Sequence, residues 1–309
     1  MSWQSEALRL QADGCGPREI SRTLDVPYTT VWRCLNSGDL RPAIDGTPKI
    51  LIADIETAPT MAYVWRRWKQ DIHQKLVIRE GYLLSWAAKW LGSGIIMSDS
   101  LFKNRHQFYK DPENDKGVAA SMWKLLDQCD MVVFHNGDKF DIPILNSRFL
   151  LHGFNRPGPY KPIDTLKIAK RTFGFPSNAL DSIAQYLGLG KKIDDGGFDT
   201  WAGCMDGDPE SWALMMEYNI HDINILEKVY LKMRAWDHRH PNVALHSDSN
   251  VSLCGVCGSS SLRLEKKSYH TSVNRFPVFR CGGCGALSRS RSSELDKSER
   301  QSVFSPVPK

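Results

Sequence analysis

Between residues 48 and 237, short apolar runs of strand length alternate with stretches of helical periodicity, and this alternation limits the possible folds more than any other feature. Ile50–Ile55, Tyr82–Leu91, Ile95–Phe102, Met131–His135 and Pro162–Asp164 read as strands. Val118–Gln128, Asp141–Leu151, Leu166–Phe173 and Ala179–Leu187 read as helices. Asp208-Pro209 then opens a long helix to about Ala235, because an aspartate satisfies free N–H groups and proline suits the first turn. Strands alternating with helices bury a sheet under helical layers, which predicts an α/β fold with a mixed sheet and flanking helices. A stretch of roughly 190 residues is enough for an independent core.

Two smaller modules flank this region. In residues 1–40, Pro17–Leu24 and Tyr28–Leu35 read as helices around an Asp25-Val26-Pro27 turn, with Ile20, Leu24, Val31 and Leu35 spaced to close on one another. The Gly-, Pro- and Asp-rich stretch GDLRPAIDGTPK at 38–49 reads as a linker. Residues 251–288 carry Cys254-Gly-Val-Cys257 and Cys281-Gly-Gly-Cys284, and residues 289–309 are polar and serine-rich, a composition expected of disorder.

No run of the chain approaches the ~20 apolar residues of a membrane span. The first residues lack the basic-then-apolar pattern of a secretory signal, so a cytoplasmic protein is expected. Cys15, Cys34, Cys129 and Cys204 are scattered and expected as reduced thiols. The net charge of +5 is uneven: residues 258–309 hold ten Lys/Arg against four Asp/Glu, leaving −1 for the rest. A basic end on a near-neutral body fits either a polyanionic partner or a solvated tail.

Asp54 and Glu56 sit two apart at the end of an apolar strand and leave the same face as Ile50 and Ile52. Two carboxylates continuing a buried row repel unless a cation lies between them; the alternative is a strand end fraying into solvent. Asp141 follows the strand-and-turn HNGDKF, as a site residue or a helix N-cap. Tyr218 and Asp222 share one face of the long helix, and Asp222 has apolar neighbours in Ile220, Ile223 and Leu226.

The order and spacing of these groups resemble the DEDD superfamily of 3′→5′ exonucleases, which have the ribonuclease H-like fold. ADIET matches its D-x-E motif with Asp54 and Glu56. HNGDKFDIPIL resembles the second motif, N-G-x-x-F-D, as in the exonuclease domains of family B DNA polymerases. Tyr218–Asp222 matches Y-x-x-x-D. Glu217 stands where the histidine subclass has its base, so the likeness is to the tyrosine subclass and His221 is not that base. The resemblance covers residues 48–237. It implies two Mg²⁺ or Mn²⁺ ions about 4 Å apart. Asp54 would bridge them, Glu56 and Asp222 would complete the site of the attacking water, and Asp141 would serve the second ion. Tyr218 would orient the nucleophile. Asn136 and Phe140 are candidates for the terminal nucleotide or for turn and core roles. Asp164 and Asp181 are set aside as ligands.

The two C-x-x-C pairs fit one closed, structural Zn²⁺ site through Cys254, Cys257, Cys281 and Cys284, rather than a redox pair, with strands at Ser261–Glu265 and Phe276–Arg280. The module resembles a zinc ribbon. Arg263, Lys266, Lys267, Arg275 and Arg280 are its candidate phosphate contacts, although zinc ribbons also bind proteins. REISRTLDVPYTTVWRCL resembles a helix-turn-helix, with Asp25 at a turn position that usually holds Gly and with Tyr28, Thr29, Thr30 and Arg33 on the recognition helix. A helical hairpin that only packs fits as well.

Together these readings imply a nucleic-acid exonuclease, with DNA favoured over RNA, working beside a DNA polymerase or another replication protein. The alternatives are an RNA exonuclease of the same fold and a catalytically inactive DNA-binding regulator. The complete carboxylate set counts against the last.

Overall fold

The structure, a computed structural model, describes residues 3, 6, 7, 10, 15–28, 31, 48–68, 71–305 and 307. Helix α1 (Pro17–Leu24) ends at Asp25, whose φ of 51° and ψ of 41° place it in the left-handed region. Aspartate tolerates that conformation better than most residues. Ile20 closes on Ala7 and Val31 in a small core of its own. Of the expected recognition-helix residues, Tyr28 lies under the Arg18 guanidinium, while Thr29, Thr30 and Arg33 lie outside the described residues, as do Cys34 and most of the 38–49 linker.

The central domain starts with β1 (Ile50–Thr57). A small exposed ribbon of β2 (Met61–Ala62) and β3 (Val77–Arg79) follows. The chain returns through β4 (Leu83–Trp90) and β5 (Met97–Ser100). Helices α2 (Arg105–Lys110) and α3 (Lys116–Gln128) lead to β6 (Met131–Phe134). Next come α4 (Asp141–Leu151), β7 (Lys161–Asp164), α5 (Thr165–Thr172), α6 (Leu180–Tyr186), α7 (Phe198–Asp206) and α8 (Pro209–Met233). The sheet order is β5-β4-β1-β6-β7, antiparallel on the β4 side of β1 and parallel on the β6 side.

Alternation along β1 divides the core. Leu51, Ala53 and Ile55 face α3 and α4, while Ile50 and Ile52 face α5, α6 and α8. Burial of each of these leucine and isoleucine side chains contributes about 1.5–3 kcal/mol. A buried ion pair, Lys89 Nζ to Glu227 Oε2 at 2.7 Å, locks α8 onto β4, and Glu227 Oε1 also accepts from the Gly92 N–H. That lock fixes which face of α8 lies over the end of β1.

Several details depart from the sequence reading. The strand expected over Ile95–Phe102 is only Met97–Ser100, because Leu101–Lys103 forms a 3-10 turn that lays Phe102 flat against Trp212, with centroids 5.5 Å apart. Helices α2 and α7 carry no clear periodicity in sequence and were not expected. The long helix ends at Met233 in a 3-10 turn, Arg234–Trp236.

The C-terminal module has β8 (Leu262–Leu264), β9 (Tyr269–His270), β10 (Arg275–Phe276), β11 (Val278–Cys281) and β12 (Leu287–Arg289), with a three-stranded sheet ordered β12-β11-β8. In the serine-rich stretch expected to be disordered, α9 (Lys297–Gln301) is closed by a capping box between Asp296 and Glu299. Among the described residues no helix is long and apolar enough to cross a membrane.

Candidate active site

The parallel pairing of β1 with β6 stops at Ile52 opposite Val133, while β6 continues beside β7 to Phe134 opposite Asp164. The strands therefore splay at their carboxyl ends, the place where open α/β sheets form ligand crevices. Asp54 and Glu56 lie on β1 past the point of splaying, on the row begun by Ile50 and Ile52. Helix α8 crosses that row and brings in Tyr218, Asn219 and Asp222. The loop from His135 to Phe140 brings in Asp141, which is the first residue of α4 rather than its cap; Phe140 holds the cap position. Asp141 and Asp222 are each 2% exposed.

The polar contacts are specific. Asn219 Nδ2 donates to Asp54 Oδ2 at 3.0 Å. The ammonium of Lys192, from the loop between α6 and α7, donates to Asp222 Oδ2 and to the Tyr218 hydroxyl at 2.9 Å. Its Nζ also lies 4.9 Å from the centre of the Tyr218 ring, and Trp201 of α7 meets that ring edge-on. Two supports hold this lysine. Asp181 Oδ1 accepts from the Lys192 N–H at 2.7 Å, and His221 Nε2 lies 2.9 Å from the Lys191 carbonyl oxygen. His221 is thus engaged with the loop.

Charge crowding is plain. Burial, reinforced by the Asp222 charge, lifts Asp54 to about 7 against the pull of Lys192 and the Asn219 amide. Burial, then Asp54 and Asp222, lifts Glu56 to about 9. Asp141 is raised well above the carboxylate range by burial and by Asp54. Asp222 is raised by burial, although Lys192 and Tyr218 oppose this. Burial also raises the Tyr218 phenol, so it stays protonated at neutral pH. For Lys192, burial works against the charge, but Asp222 and Tyr218 outweigh it and raise the ammonium above its ordinary value.

Asp141 Oδ1 and Asp222 Oδ1 are buried with no hydrogen-bond partner, as is Asn219 Oδ1. Unpaired carboxylate oxygens in a dry crevice are costly. They are also the hard oxygen donors that Mg²⁺ or Mn²⁺ prefers. The donor set fits such cations.

The remaining residues of the second sequence motif form the turn that leads into Asp141. Asn136 has φ of 70°, and its N–H donates to Asp164 Oδ1 at 3.0 Å. A side chain at Gly137 would run into Phe134, with a Cβ only 2.3 Å from the Phe134 Cβ. Both His135 ring nitrogens are engaged, by the Thr165 hydroxyl at 2.9 Å and the Asn178 carbonyl at 3.0 Å. Asp164 also caps α5 through the Leu166 N–H at 2.9 Å. Asp164 is spent on backbone groups and Asp181 on Lys192 and Gln185. Phe140, directly before Asp141, is 41% exposed.

Sequence reasoning missed Lys192 and Asn219. The signal for Asn219 was present, an asparagine inside an apolar helix next to Tyr218. Lys192 gave no such signal, because it stands in the loop KKIDDGG and meets its partners only across 26 and 30 residues.

The four C-terminal cysteines bring their Sγ atoms within 4.8 Å of one another, and among the described residues they are the compact metal-ligand cluster. The Cys254–Cys284 and Cys257–Cys281 Sγ separations are 3.7 and 3.5 Å. A tetrahedral zinc with Zn–S near 2.3 Å separates its sulfurs by about 3.8 Å, so the thiols fit that ion. Although burial resists it, N–H groups of Cys284 and Gly283 draw Cys281 down to about 6. The tight turns rest on Gly258 and Gly285, at φ of 75° and 81°, just after each pair rather than within it. Of the candidate phosphate contacts, Arg275 is paired with Glu294 and Arg280 with Glu265, both at 2.6 Å. Arg263, Lys266 and Lys267 line a groove of about 1070 Å³ with Tyr269, Arg289 and the paired Arg280.

A model of the RNase_H superfamily matches residues 89–234, a span that begins after Asp54 and Glu56 but includes Asp141, Tyr218 and Asp222. The sheet and its helices form an RNase H-like domain: the sequence alternation led us to expect a mixed α/β sheet, and the resemblance of the carboxylate motifs implied its ribonuclease H-like form. Among solved structures the chain is similar to the family B DNA polymerase from the hyperthermophilic archaeon Pyrobaculum calidifontis. That similarity has 15% identity and a TM-score of 0.45, over 61% of this chain and 25% of that one. No curated protein sequence matches the chain.

Proposed function

We propose that the chain is a metal-dependent 3′→5′ exonuclease that hydrolyses phosphodiester bonds at frayed or single-stranded 3′ ends, with DNA favoured over RNA. The observation that carries this reading is the pair of buried, partnerless oxygens, Asp141 Oδ1 and Asp222 Oδ1, in a crevice shared with Asp54 and Glu56. Asp54, Glu56, Asp141 and Asp222 would hold two Mg²⁺ or Mn²⁺ ions. When bound, such ions acidify water, neutralise the phosphate and stabilise the leaving 3′ oxygen.

The chain's own residues supply the rest. Tyr218, kept as a phenol, orients the nucleophile through its hydroxyl rather than by taking a proton. Lys192 holds Tyr218 and Asp222 in place and sets a fixed positive charge beside the position where negative charge builds up. Asn219 orients Asp54. Phe140 and Asn136 border the place of the terminal nucleotide. Cys254, Cys257, Cys281 and Cys284 hold one structural Zn²⁺, and Arg263, Lys266 and Lys267 follow the nucleic-acid backbone.

The test uses a 5′-labelled single-stranded oligonucleotide with Mg²⁺, with and without EDTA. The expected product is a ladder that shortens one nucleotide at a time and is abolished by EDTA. Rapid cleavage of a closed circular single strand would instead make the enzyme an endonuclease. An RNA oligonucleotide degraded faster than its DNA counterpart would move the substrate to RNA.

A further inference from the structure

The ribbon between β1 and β4 is held firmly at its root and exposes aromatic side chains toward its tip. At the root, the Ala58 N–H donates to the Tyr82 carbonyl at 2.8 Å. The two legs approach so closely that a Cβ on Gly81 would lie 2.8 Å from the Ala58 carbonyl oxygen. Above this neck Met61 pairs with Arg79 and Ala62 with Val77, and the Tyr63 N–H donates to the Leu76 carbonyl at 2.9 Å. The Arg79 guanidinium reaches Glu113 at 3.4 Å and the Met205 sulfur at 3.4 Å. Met205 belongs to α7, the helix whose Trp201 abuts Tyr218. The root is therefore fixed against the wall of the carboxylate crevice. Met61 follows Glu56 by five residues, a reach of at most about 18 Å.

The tip is aromatic and basic. Tyr63, Trp65 and Trp68 are 73%, 89% and 80% exposed, and Arg66 and Arg67 stand between the two tryptophans. Clustered exposed aromatics on a soluble domain mark a binding surface. Aromatic faces interleaved with arginines suit one ligand chemistry best: bases stack on the rings and phosphates pair with the cations. An apolar protein partner would need the rings but not the arginines.

We infer that this ribbon is a stacking platform for single-stranded nucleic acid, on which Trp65, Trp68 and Tyr63 hold bases of the strand whose 3′ end enters the crevice. The inference rests on the nuclease reading and names how that site takes hold of its substrate. Such a platform would favour unpaired ends, since only splayed bases present free faces to the rings.

The test is fluorescence anisotropy of a short fluorescein-labelled oligothymidylate with the full chain in EDTA, so that no hydrolysis intervenes. The Trp65→Ala/Trp68→Ala double variant is expected to bind at least about tenfold more weakly. Trp65→Phe/Trp68→Phe should keep most of the affinity, and Trp65→Leu/Trp68→Leu, which keeps the apolar surface without the stacking face, should be as weak as the alanine pair. Both tryptophans are exposed, so an unchanged melting temperature should accompany each variant. Hydrolysis by the wild type in Mg²⁺ is measured separately. If the wild type degrades the oligonucleotide yet the alanine variant binds it equally well, the platform is wrong and the nuclease reading stands. Leucine variants that bind like the wild type would also overturn the proposal, as would a loss of self-association in sedimentation in place of a loss of nucleic-acid affinity. A wild type that neither binds nor degrades nucleic acid removes the nuclease reading and the platform together.

Discussion

Replacing Lys192 by methionine keeps the length of the side chain and removes its charge, and the structure sets the size of the effect. The ammonium is in hydrogen-bond contact with Asp222, whose side chain is 2% exposed against 25% for the lysine. Two unit charges at that range attract by about 6 kcal/mol at an effective dielectric near 20. Desolvation and the exposed quarter of the lysine return part of this, leaving a net loss of about 2–3 kcal/mol for the metal-free protein. The loss is capped because Asp222, already raised by burial, can take up a proton instead. Thermal melts in EDTA should therefore show a larger destabilisation at pH 8 than at pH 6. Mn²⁺ should restore much of it and bind more tightly, since no ammonium competes for Asp222. The hydrolytic rate should still fall by about 10²–10³, because a cation that exchanges with solvent does not replace one fixed beside Tyr218. Steady-state hydrolysis and melts, each run with and without Mn²⁺, separate these effects. A variant whose rate stays within a few-fold of wild type would refute the role given to Lys192, whatever its stability.

Asp181→Ala should slow hydrolysis by about tenfold or more without weakening Mn²⁺ binding, because its carboxylate fixes the Lys192 backbone rather than an ion; equal loss of both in kinetics and calorimetry would count against this. In EDTA the protein should lose stability as pH rises from about 4 to 9. Asp54 and Glu56 have folded values near 7 and 9, above their ordinary values of 3.8 and 4.5, so the folded state binds the extra protons in that window and their stabilisation is gone once pH passes the folded values. Saturating Mg²⁺ or Mn²⁺ replaces those protons, so the melting-temperature gap between metal and EDTA should widen with pH, by several degrees at pH 8; a gap independent of pH would contradict the charge crowding. Metal analysis of protein purified without chelators should find about one zinc per chain, lost in a Cys254→Ser/Cys257→Ser variant that still degrades short single strands.

Much of the fold was legible because burial and periodicity coincide. Ile50, Ile52, Asp54 and Glu56 share one face by strand alternation alone, and Tyr218 and Asp222 share one by helical spacing. The cap-and-proline pair Asp208-Pro209 marked the start of α8 to the residue. Elements set by tertiary contact were not legible. Phe102 leaves the expected strand because Trp212 offers a flat face. The 198–206 helix, FDTWAGCMD, lacks a clean stripe and is held by packing on α8. Lys192 is the sharpest case, since nothing in KKIDDGG marks one lysine of two as the cation that meets Asp222. The exposed tryptophans of the β2–β3 ribbon escaped for the opposite reason, because sequence alone does not distinguish an aromatic in the core from one left outside.

The central claim is that Asp54, Glu56, Asp141 and Asp222 hold the ions that carry hydrolysis. Its most direct test is single-turnover degradation of a 5′-labelled single strand with Mg²⁺ by wild type, Asp54→Ala and Asp222→Ala, each shown to be folded by circular dichroism. Wild type should give the shortening ladder, and both variants should lose hydrolysis by at least about 10³-fold while keeping their fold. Asp54→Ala retaining most of the wild-type rate, in preparations free of contaminating nuclease, would contradict the account.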